Sequence, residues 1–360
     1  MTLEDHRVLG RTGVRISPLT LGTMNFGRWQ EEDESIRIIR AALDAGINAV
    51  DTADVYAQGL SEQIVGRAIR HRRDEVFLAT KFHGQIGENP LHAGNSRRWI
   101  TRAVEDSLRR LDTDHVDLYQ AHRPDPDTDL LETLQTLDGL IRAGKIRYYG
   151  TSTFPAHQQV QAHWLAERYN LIAPHTEQLP YSLLIRGAER EVFPVTRQYG
   201  VGVLTFGPLA AGWLSGRYRL GAPQPESARA DLIPGRFDIS GDHNRRKLAA
   251  ADALAVLAEE NGLTLVELAV AFTLTHPAVT SAIIGPRTQE HLEAYLKAAD
   301  VRLDDAILDR IDEIVDPGTQ FLDRDTGQHT PSLQPIALRR RAAANDAPSN
   351  PPSSPGRTAR

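Results

Sequence analysis

The stretch NAVDTADVYAQGLSEQIVGRAI, residues 48–69, joins two kinds of periodicity. Its first four residues, 48–51, form a predicted strand whose apolar part is too short for a helix and ends at Asp51. Ser61 then begins an amphipathic segment of helical period, and serine is a preferred residue at the N-terminus of a helix. A short strand that leads directly into a helix is the unit from which parallel α/β folds are built.

The same unit recurs along the chain. The predicted strands lie at 19–21, 48–51, 76–81, 116–122, 148–152, 175–179, 201–205 and 280–284. Segments of helical period separate them. The first of these segments ends at Gly46, and glycine is the residue most often found at the C-terminal end of a helix. Eight strands alternating with eight helices predict an α/β fold of one type, the closed parallel (β/α)8 or TIM barrel.

Three pieces fall outside this repeat. HRVLGRTGVRIS (6–17) predicts an N-terminal β-hairpin, 206–245 a long loop after strand seven, and DDAILDRIDEIV (304–315) an extra C-terminal helix. The barrel domain is expected to span 1–330, with a disordered Pro-, Ser- and Arg-rich tail at 331–360. A doubly wound fold needs a glycine fingerprint after the first strand, and LTLGTMNFG (19–27) lacks that spacing.

Composition excludes several classes of function. The 360-residue chain has no cysteine, which removes cysteine nucleophiles, zinc–thiolate sites and disulfides. It begins without an apolar signal core and has no run of about 18 apolar residues, so a soluble cytoplasmic protein without a membrane partner is expected. The net charge is −6, although the last 30 residues carry +4. The rest of the chain is therefore more acidic than the net charge suggests, and such a domain is a poor nucleic-acid binder. The oligomeric state cannot be read from the sequence.

Ionisable side chains stand at the ends of three consecutive predicted strands, on the face where such barrels carry their active sites. Asp51 ends strand two, with Tyr56 in the loop beyond, while Lys81 ends strand three and His122 strand four. A lysine ammonium beside a tyrosine stabilises the phenolate and eases loss of the proton. Asp51 would keep the lysine charged, and His122 would orient a carbonyl oxygen. The group suits protonation of an oxygen, with hydride supplied by a cofactor.

Other readings of the same residues stay open at this point. Each side chain alone is more often structural: a helix cap, a solvated strand end or a satisfied core histidine. Lys81 could also form a Schiff base, as in a barrel aldolase, although Asp51 nearby should keep it charged. No metal site is predicted, since no histidine–carboxylate cluster ends a strand.

Several motifs in order resemble one family. They are LGRTGVRISPLTLGTMNFG, NAVDTADVYAQGLSE, FLATKF, QAHRPD, YYGTSTF, EQLPYSLL, GVGVLTFGPLAAGWLSGRY and AIIGPRTQEHLE. They resemble the aldo-keto reductases, and among these the bacterial branch similar to potassium-channel β-subunits. The resemblance covers nearly everything up to about residue 330. It implies that Asp51, Tyr56, Lys81 and His122 are the catalytic residues, with Tyr56 as the general acid.

The resemblance also implies NADPH/NADP+ as the cofactor, extended across the barrel top. Ser152 and Gln178 would face the nicotinamide carboxamide, Phe206 would stack on its ring, and Arg287 would meet the 2′-phosphate. The cofactor-binding residues implied are Gly22, Thr23, Met24, Asp51, Ser152, Gln178, Phe206, Pro208, Leu209, Gly212, Leu214, Gly216, Gly285, Arg287, Thr288, His291 and Tyr295. Thr153, His291, Ala294 and Tyr295 depart from the usual family residues, and adenine binding could rest on stacking by Tyr295.

Apolar walls beside the four residues suit aromatic or aliphatic aldehydes. The substrate-lining candidates are Phe26, Trp29, Phe82 and Arg123. Together with the resemblance, these residues imply an NADP-dependent oxidoreductase that reduces aldehydes, and also ketones, to alcohols. The alternative is an NADPH-binding regulatory module with very slow turnover.

Overall fold

A computed structural model describes residues 3–226, 230–231 and 233–327 of the chain. Its centre is a closed barrel of eight parallel strands in the order β10-β3-β4-β5-β6-β7-β8-β9. The barrel strands are β3 (Leu19–Gly22), β4 (Ala49–Asp51), β5 (Phe77–Phe82), β6 (Val116–Ala121), β7 (Ile146–Ser152), β8 (Thr176–Pro180), β9 (Gly202–Phe206) and β10 (Val279–Ile284). All eight predicted strands are present, with ends displaced by at most two residues. The predicted (β/α)8 barrel is therefore confirmed.

Ten α-helices surround the strands in the described part of the chain. They are α1 (Glu32–Asp44), α2 (Leu60–Ile69), α3 (Arg97–Leu111), α4 (Leu130–Arg142), α5 (Ala156–Tyr169), α6 (Val192–Tyr199), α7 (Asp242–Glu260), α8 (Leu265–Thr275), α9 (Gln289–Asp300) and α10 (Asp305–Ile314). Both α7 and α8 follow β9, and α10 is the predicted extra C-terminal helix. Local signals explain their starts: Ser96 caps α3, and Thr264 forms a capping box with Glu267 at α8.

The predicted N-terminal hairpin closes the amino end of the barrel. Its strands are β1 (Arg7–Val8) and β2 (Arg15–Ile16), which pair antiparallel. Arg7 donates hydrogen bonds to the carbonyl oxygens of Leu274 and Val279, beside the start of β10. Leu9 and Ile16 are fully buried in the apolar cluster that fills the barrel interior. The carboxyl ends of the strands are thus left as the open face.

Alternation along each strand separates two cores. Ala49, Ala79, Leu118 and Leu204 point into the barrel and pack together. Their neighbours in sequence point outward and pack against the helices in the main core. Because side chains alternate with a period of two, the inward row continues toward the carboxyl ends of the strands and decides which residues face the site.

The long loop after β9 has a small apolar core of its own. Trp213 lies with its ring centroid 4.4 Å from that of Tyr218 and 5.8 Å from that of Phe237, and all three are buried. Such packing gives this part of the loop an apolar core of its own, beside the short 3-10 helices Ala210–Gly212 and Pro234–Arg236. The predicted disordered tail at 331–360 lies outside the described residues. Among the helices that the structure describes, none combines the length and apolar character needed to cross a bilayer.

Candidate active site

The four predicted catalytic residues come together at the carboxyl ends of β4, β5 and β6. Asp51 is the last residue of β4, Lys81 lies one residue before the end of β5, and His122 directly follows β6. Tyr56 begins the short 3-10 turn Tyr56–Gly59 beyond β4. Adjacent strands in the barrel order therefore bring residues that are up to 71 positions apart into one group.

The turn that carries Tyr56 has an unusual backbone. Ala57 and Gln58 have φ angles of 48° and 54°, in the left-handed region that residues other than glycine seldom adopt. The Tyr56 amide donates to the carbonyl oxygen of Ala53, which helps to hold the turn. Strain of this kind is often found at functional sites. Here it fixes the position of the phenol above the barrel.

Lys81 is the centre of the hydrogen-bond network. Its side chain is fully buried, and its Nζ donates to Asp51 Oδ2 at 2.6 Å and to the carbonyl oxygen of Thr52 at 2.8 Å. The third contact is to the Tyr56 hydroxyl at 3.3 Å. An ammonium group has three hydrogens to donate, and these three acceptors account for them. Lys81 is therefore held in one orientation with the Tyr56 oxygen in reach.

Two glutamines hold the other oxygen of Asp51, and one of them was missed from the sequence. Gln178 Nε2 donates to Asp51 Oδ1 at 2.8 Å, and Gln120 Nε2 approaches the same atom at 3.4 Å. Gln178 was predicted as a nicotinamide contact, whereas Gln120 was not considered. Its position two residues beyond inward-facing Leu118 is the signal that would have identified it.

The electrostatics of this group favour a protonated tyrosine and a charged lysine. Burial alone would lower the pKa of Lys81, but Asp51 and Tyr56 outweigh it, and the pKa lies above its ordinary value. Burial raises the pKa of Tyr56, and Asp51 adds to this against the opposing effect of Lys81. The sequence suggested a lowered phenol pKa, so the net direction is a correction. Burial of the ring is the larger effect.

His122 lies beside Tyr56, with the ring centroids 5.8 Å apart and an interplanar angle of 77°. Burial, followed by the positive charges of Lys81 and Arg123, lowers the pKa of His122 well below its usual range. The imidazole is therefore neutral at pH 7. One ring nitrogen then carries a proton that can be donated to a substrate oxygen.

The predicted nicotinamide residues line the neighbouring strands. Ser152, Gln178 and Phe206 end or nearly end β7, β8 and β9 on the inward-facing row. The Ser152 hydroxyl is buried and has no hydrogen-bond partner among the described residues. A buried hydroxyl without a partner is costly unless a ligand supplies one, so this site fits a carboxamide. The Thr153 hydroxyl instead donates to the Ser152 carbonyl oxygen at 2.7 Å.

The predicted pyrophosphate loop follows β9. Gly212 and Gly216 have φ angles of 106° and 82°, which glycine adopts without strain. Pro208 is buried, and Leu209 is half-buried. The Leu214 side chain is fully buried in the core, so only its backbone can meet a cofactor.

The predicted cofactor-binding residues at the end of β3 also make contacts within the protein. The Thr23 hydroxyl donates to the Asp51 carbonyl oxygen at 3.1 Å and lies 2.9 Å from the hydroxyl of Ser61, which donates to it. Gly22 leaves room for Ile283, since a Cβ there would come within 2.6 Å of that side chain. Met24 is half-buried at the rim.

A basic cluster surrounds the start of α9 and includes an arginine that was not predicted. Arg287 and His291 are exposed, as is Thr288, whose hydroxyl caps the helix by accepting from the His291 amide at 3.2 Å. Partial desolvation, Arg287 and Arg217 together lower the pKa of His291. Arg217 comes from the loop after β9, so only the tertiary structure brings its charge within reach of His291.

Gly285 and Tyr295 are the other predicted cofactor contacts close to α9, and the structure places them differently. Gly285 is exposed at the end of β10, and its carbonyl oxygen accepts from Asn25 Nδ2 at 3.2 Å. Tyr295 is only 8 % exposed and packs in the main core. Little of its ring is left for the adenine stacking that the sequence suggested.

Two of the four predicted substrate-lining residues lie in the core and not on the open face. Phe26 and Phe82 are fully buried in the main core. Phe82 follows Lys81 in β5, so when the lysine faces the site the phenylalanine must face the helices, where it packs on Tyr119 with ring centroids 4.8 Å apart. Trp29 is half-buried beneath the guanidinium of Arg28, and Arg123 is half-buried beside His122.

The geometry also bears on the competing readings. A Schiff-base lysine must lose its proton, whereas Lys81 is buried in an ion pair that raises its pKa. Within the described ranges, no group of three or more histidine, aspartate or glutamate side chains is arranged to hold a metal ion. Proton transfer from Tyr56 is the chemistry that this arrangement serves best.

Comparison with known proteins agrees with this geometry. A sequence model described as the Aldo/keto reductase family matches residues 18–316. An uncharacterized oxidoreductase of Bacillus subtilis, YrpG, is 39% identical over 323 residues, which cover 86% of this chain and 95% of the relative. Probable voltage-gated potassium channel β-subunits of Arabidopsis thaliana and Oryza sativa are 34% and 35% identical, each with 86% of this chain and 96% of the relative covered. The chain therefore belongs to the aldo/keto reductase family, whose members are oxidoreductases that in general use a nicotinamide cofactor.

Proposed function

We propose that this protein is an NADPH-dependent reductase of aldehydes, and also of ketones, with Tyr56 as the proton donor. One observation carries the proposal: the Tyr56 hydroxyl lies 3.3 Å from the Nζ of fully buried Lys81. That ammonium is in turn fixed by Asp51 at 2.6 Å, and neutral His122 lies alongside. The proposal includes a small carbonyl compound as the partner and a cytoplasmic location.

The four residues divide the work of protonating a carbonyl oxygen. The bound cofactor would supply hydride to the carbonyl carbon. Tyr56 is protonated at neutral pH and gives its proton to the oxygen as negative charge develops there. The Lys81 ammonium stabilises the phenolate that remains. Asp51 keeps that lysine charged and in place, and His122 donates an N–H to the carbonyl oxygen.

One feature supports NADPH in particular, and a second supports a nicotinamide dinucleotide in general. Arg287, Arg217 and His291 surround the start of α9, where helix N–H groups favour an anion such as a 2′-phosphate. Ser152 offers the carboxamide at the other end of the cofactor a buried hydroxyl that has no hydrogen-bond partner among the described residues. Ser152 ends β7 and the basic cluster follows β10, and these two strands are three apart in the closed strand order. An extended dinucleotide fits such a separation.

The first test is turnover by the purified protein. It would be mixed with NADPH and a reactive aromatic aldehyde while the absorbance of reduced nicotinamide is followed, with Tyr56→Phe run in parallel. We expect the variant to bind NADPH, seen as quenched tryptophan fluorescence, and to lose about 10²- to 10⁴-fold in kcat. A variant within about twofold of wild type would remove Tyr56 from its proposed role.

The plant relatives named as channel β-subunits, together with a putative one in Schizosaccharomyces pombe, favour one second candidate. It is an NADPH-binding regulatory module in which the chemistry is very slow. Binding of NADPH with no measurable turnover across a panel of aldehydes would favour this role. Steady turnover that depends on Tyr56 would favour the reductase.

A further inference from the structure

Arg123 introduces a second positive charge at the proposed active site. It follows His122 directly, and its Nη1 donates to the His122 carbonyl oxygen at 2.9 Å and to Thr153 Oγ1 at 3.3 Å. The side chain is half-buried. Its positive charge acts to lower the pKa of Tyr56, against the effect of burial. The guanidinium therefore lies close to where a substrate carbonyl must sit.

This charge is not neutralised by a carboxylate in the part of the chain that the structure describes. Arg73, Arg110 and Arg186, which are also partly or largely buried, each form an ion pair with an aspartate or glutamate. Arg123 forms no ion pair with any described residue, and burial lowers its pKa. Removing a cation from water without a partner is costly, so an arginine placed this way points to an anion supplied from elsewhere.

Among the described residues, the carboxyl group whose charge would act on Arg123 is that of Glu177, and it is already engaged. Glu177 accepts hydrogen bonds from the Phe154 amide at 3.0 Å and from the Thr151 hydroxyl. Burial raises the pKa of Glu177 to about 8, so at pH 7 it is mostly uncharged. Lys81 cannot share its counterion either, since Asp51 is bound to the lysine and to Gln178. The proposed site thus carries a net charge of about +1.

The cofactor phosphates are not suitable partners for Arg123. The candidate phosphate contacts follow β9 and β10, whereas Arg123 follows β6, three strands from β9 in the closed order. Tyr56 and Lys81 come from β4 and β5, the strands next to β6 on the other side. Arg123 therefore belongs to the substrate part of the barrel top.

Resting on the proposed reductase function, we infer that Arg123 binds an anionic group of the carbonyl substrate. The substrate class is then aldehydes or ketones that carry a carboxylate or a phosphate. A guanidinium offers two parallel N–H donors to either group, which fixes the substrate as well as attracting it. Since Arg123 also contacts the His122 carbonyl oxygen, the bound anion would be positioned relative to the proton-donating residues.

The test compares charged and neutral aldehydes of similar size. The pairs are succinic semialdehyde with butanal, which reports on a carboxylate, and glyceraldehyde 3-phosphate with glyceraldehyde, which reports on a phosphate. Wild type, Arg123→Met, Arg123→Lys and Arg147→Met would be measured for kcat and KM. Arg147→Met is the matched control, because that arginine is exposed at the start of β7, at the opposite end of the barrel.

We expect wild type to prefer the charged member of at least one pair by about 10-fold or more in kcat/KM. Arg123→Met should lower kcat/KM for that charged aldehyde by about 10- to 100-fold more than for its neutral partner, mainly through KM. Arg123→Lys should recover part of the preference, and Arg147→Met should leave it as in wild type. The pair that responds identifies the anion as carboxylate or phosphate.

Two results would overturn the inference alone: turnover of both members of each pair without preference, or equal losses on charged and neutral aldehydes in Arg123→Met. The second would assign Arg123 to holding His122 in place. Absence of turnover with all four aldehydes, although NADPH binds, would instead overturn the proposed function on which the inference rests.

Discussion

Lys81 shows how one residue can organise a site. A lysine that is fully buried is tolerated only when its charge is paired and its donors are used. Asp51, the Thr52 carbonyl and Tyr56 satisfy both conditions. The same contacts that stabilise the cation place it against the phenol, so structural need and proposed chemistry coincide at this atom.

Glu177 gives a residue-scale prediction about pH. Burial raises its pKa from the ordinary 4.5 to about 8, so between these values the folded protein holds a proton that the unfolded chain has lost. Stability must then fall as the pH rises through this window, by on the order of 1 kcal/mol per pH unit. Glu177→Gln, which keeps the shape without the charge, should remove this dependence and gain a few kcal/mol over wild type by pH 8.

Urea unfolding of both proteins at pH 5, 6.5 and 8 would measure the effect. Glu105→Gln, at an exposed surface pair with Lys145, is the control and should follow wild type within about 0.5 kcal/mol. If the wild-type and Glu177→Gln curves run parallel, then Glu177 is ionised in the folded protein at neutral pH.

Arg287 gives a second prediction at this scale. Arg287→Ala should raise the KM for NADPH about 10-fold or more and change that for NADH little, because only NADPH has a 2′-phosphate for the guanidinium to bind. Arg217→Ala should act in the same direction. Arg37→Ala, which removes an exposed arginine of α1 paired with Glu34, is the control. Equal effects on both cofactors would place the 2′-phosphate elsewhere.

At the scale of elements, strand β5 places two neighbouring residues in different environments. Lys81 and Phe82 are adjacent in sequence, but alternation sends one into the barrel and the other toward α2 and α3. The aromatic residue that looked suitable for a substrate wall therefore serves the core. Position on a strand near the site does not mean access to it.

We accordingly predict that Phe82→Ala destabilises the protein by about 3–5 kcal/mol, through the cavity left beside Tyr119. Phe82→Leu should lose clearly less. Denaturant unfolding would give both values, and relative kcat/KM values for small and large aldehydes would be measured alongside. A stable Phe82→Ala protein with altered aldehyde selectivity would return Phe82 to the substrate pocket.

At the scale of the whole molecule, one buried carboxylate joins three distant segments. Asp325, in the last described turn, accepts from Lys247 of α7 and, at 2.8 Å, from Arg236 of the loop after β9. Lys247 is nearly fully buried. The end of the described chain thus holds the long loop that carries the predicted pyrophosphate contacts.

Asp325→Ala would leave the Lys247 ammonium buried without its carboxylate. Such a loss costs about 3–5 kcal/mol, so the variant should unfold at clearly lower denaturant concentration and bind NADPH more weakly. Asp242→Ala, at an exposed pair with Arg245, should change neither property. An Asp325→Ala protein as stable as wild type would mean that the loop is held by its aromatic core.

The residue scale, too, shows how far sequence reasoning reaches into the site. Tyr56, Lys81, Asp51 and His122 were found because each stands at or just beyond a predicted strand end. Arg217 and Gln120 were missed, the first because it lies in an irregular loop and the second because its inward face is clear only once the register is known. Tyr295 has a helical position that suits either core or surface, and packing chose the core.

The amino-acid sequence by itself determined the barrel, the order of its strands and the face that carries the chemistry, because these follow from short-range periodicity and from which residues end each strand. Only the tertiary structure decided burial and charge. It buried Phe26 and Phe82, raised the phenol pKa of Tyr56 where a lowered one was expected, and left Arg123 without a carboxylate partner among the described residues. These properties depend on contacts between residues far apart in the chain, and no local pattern records them.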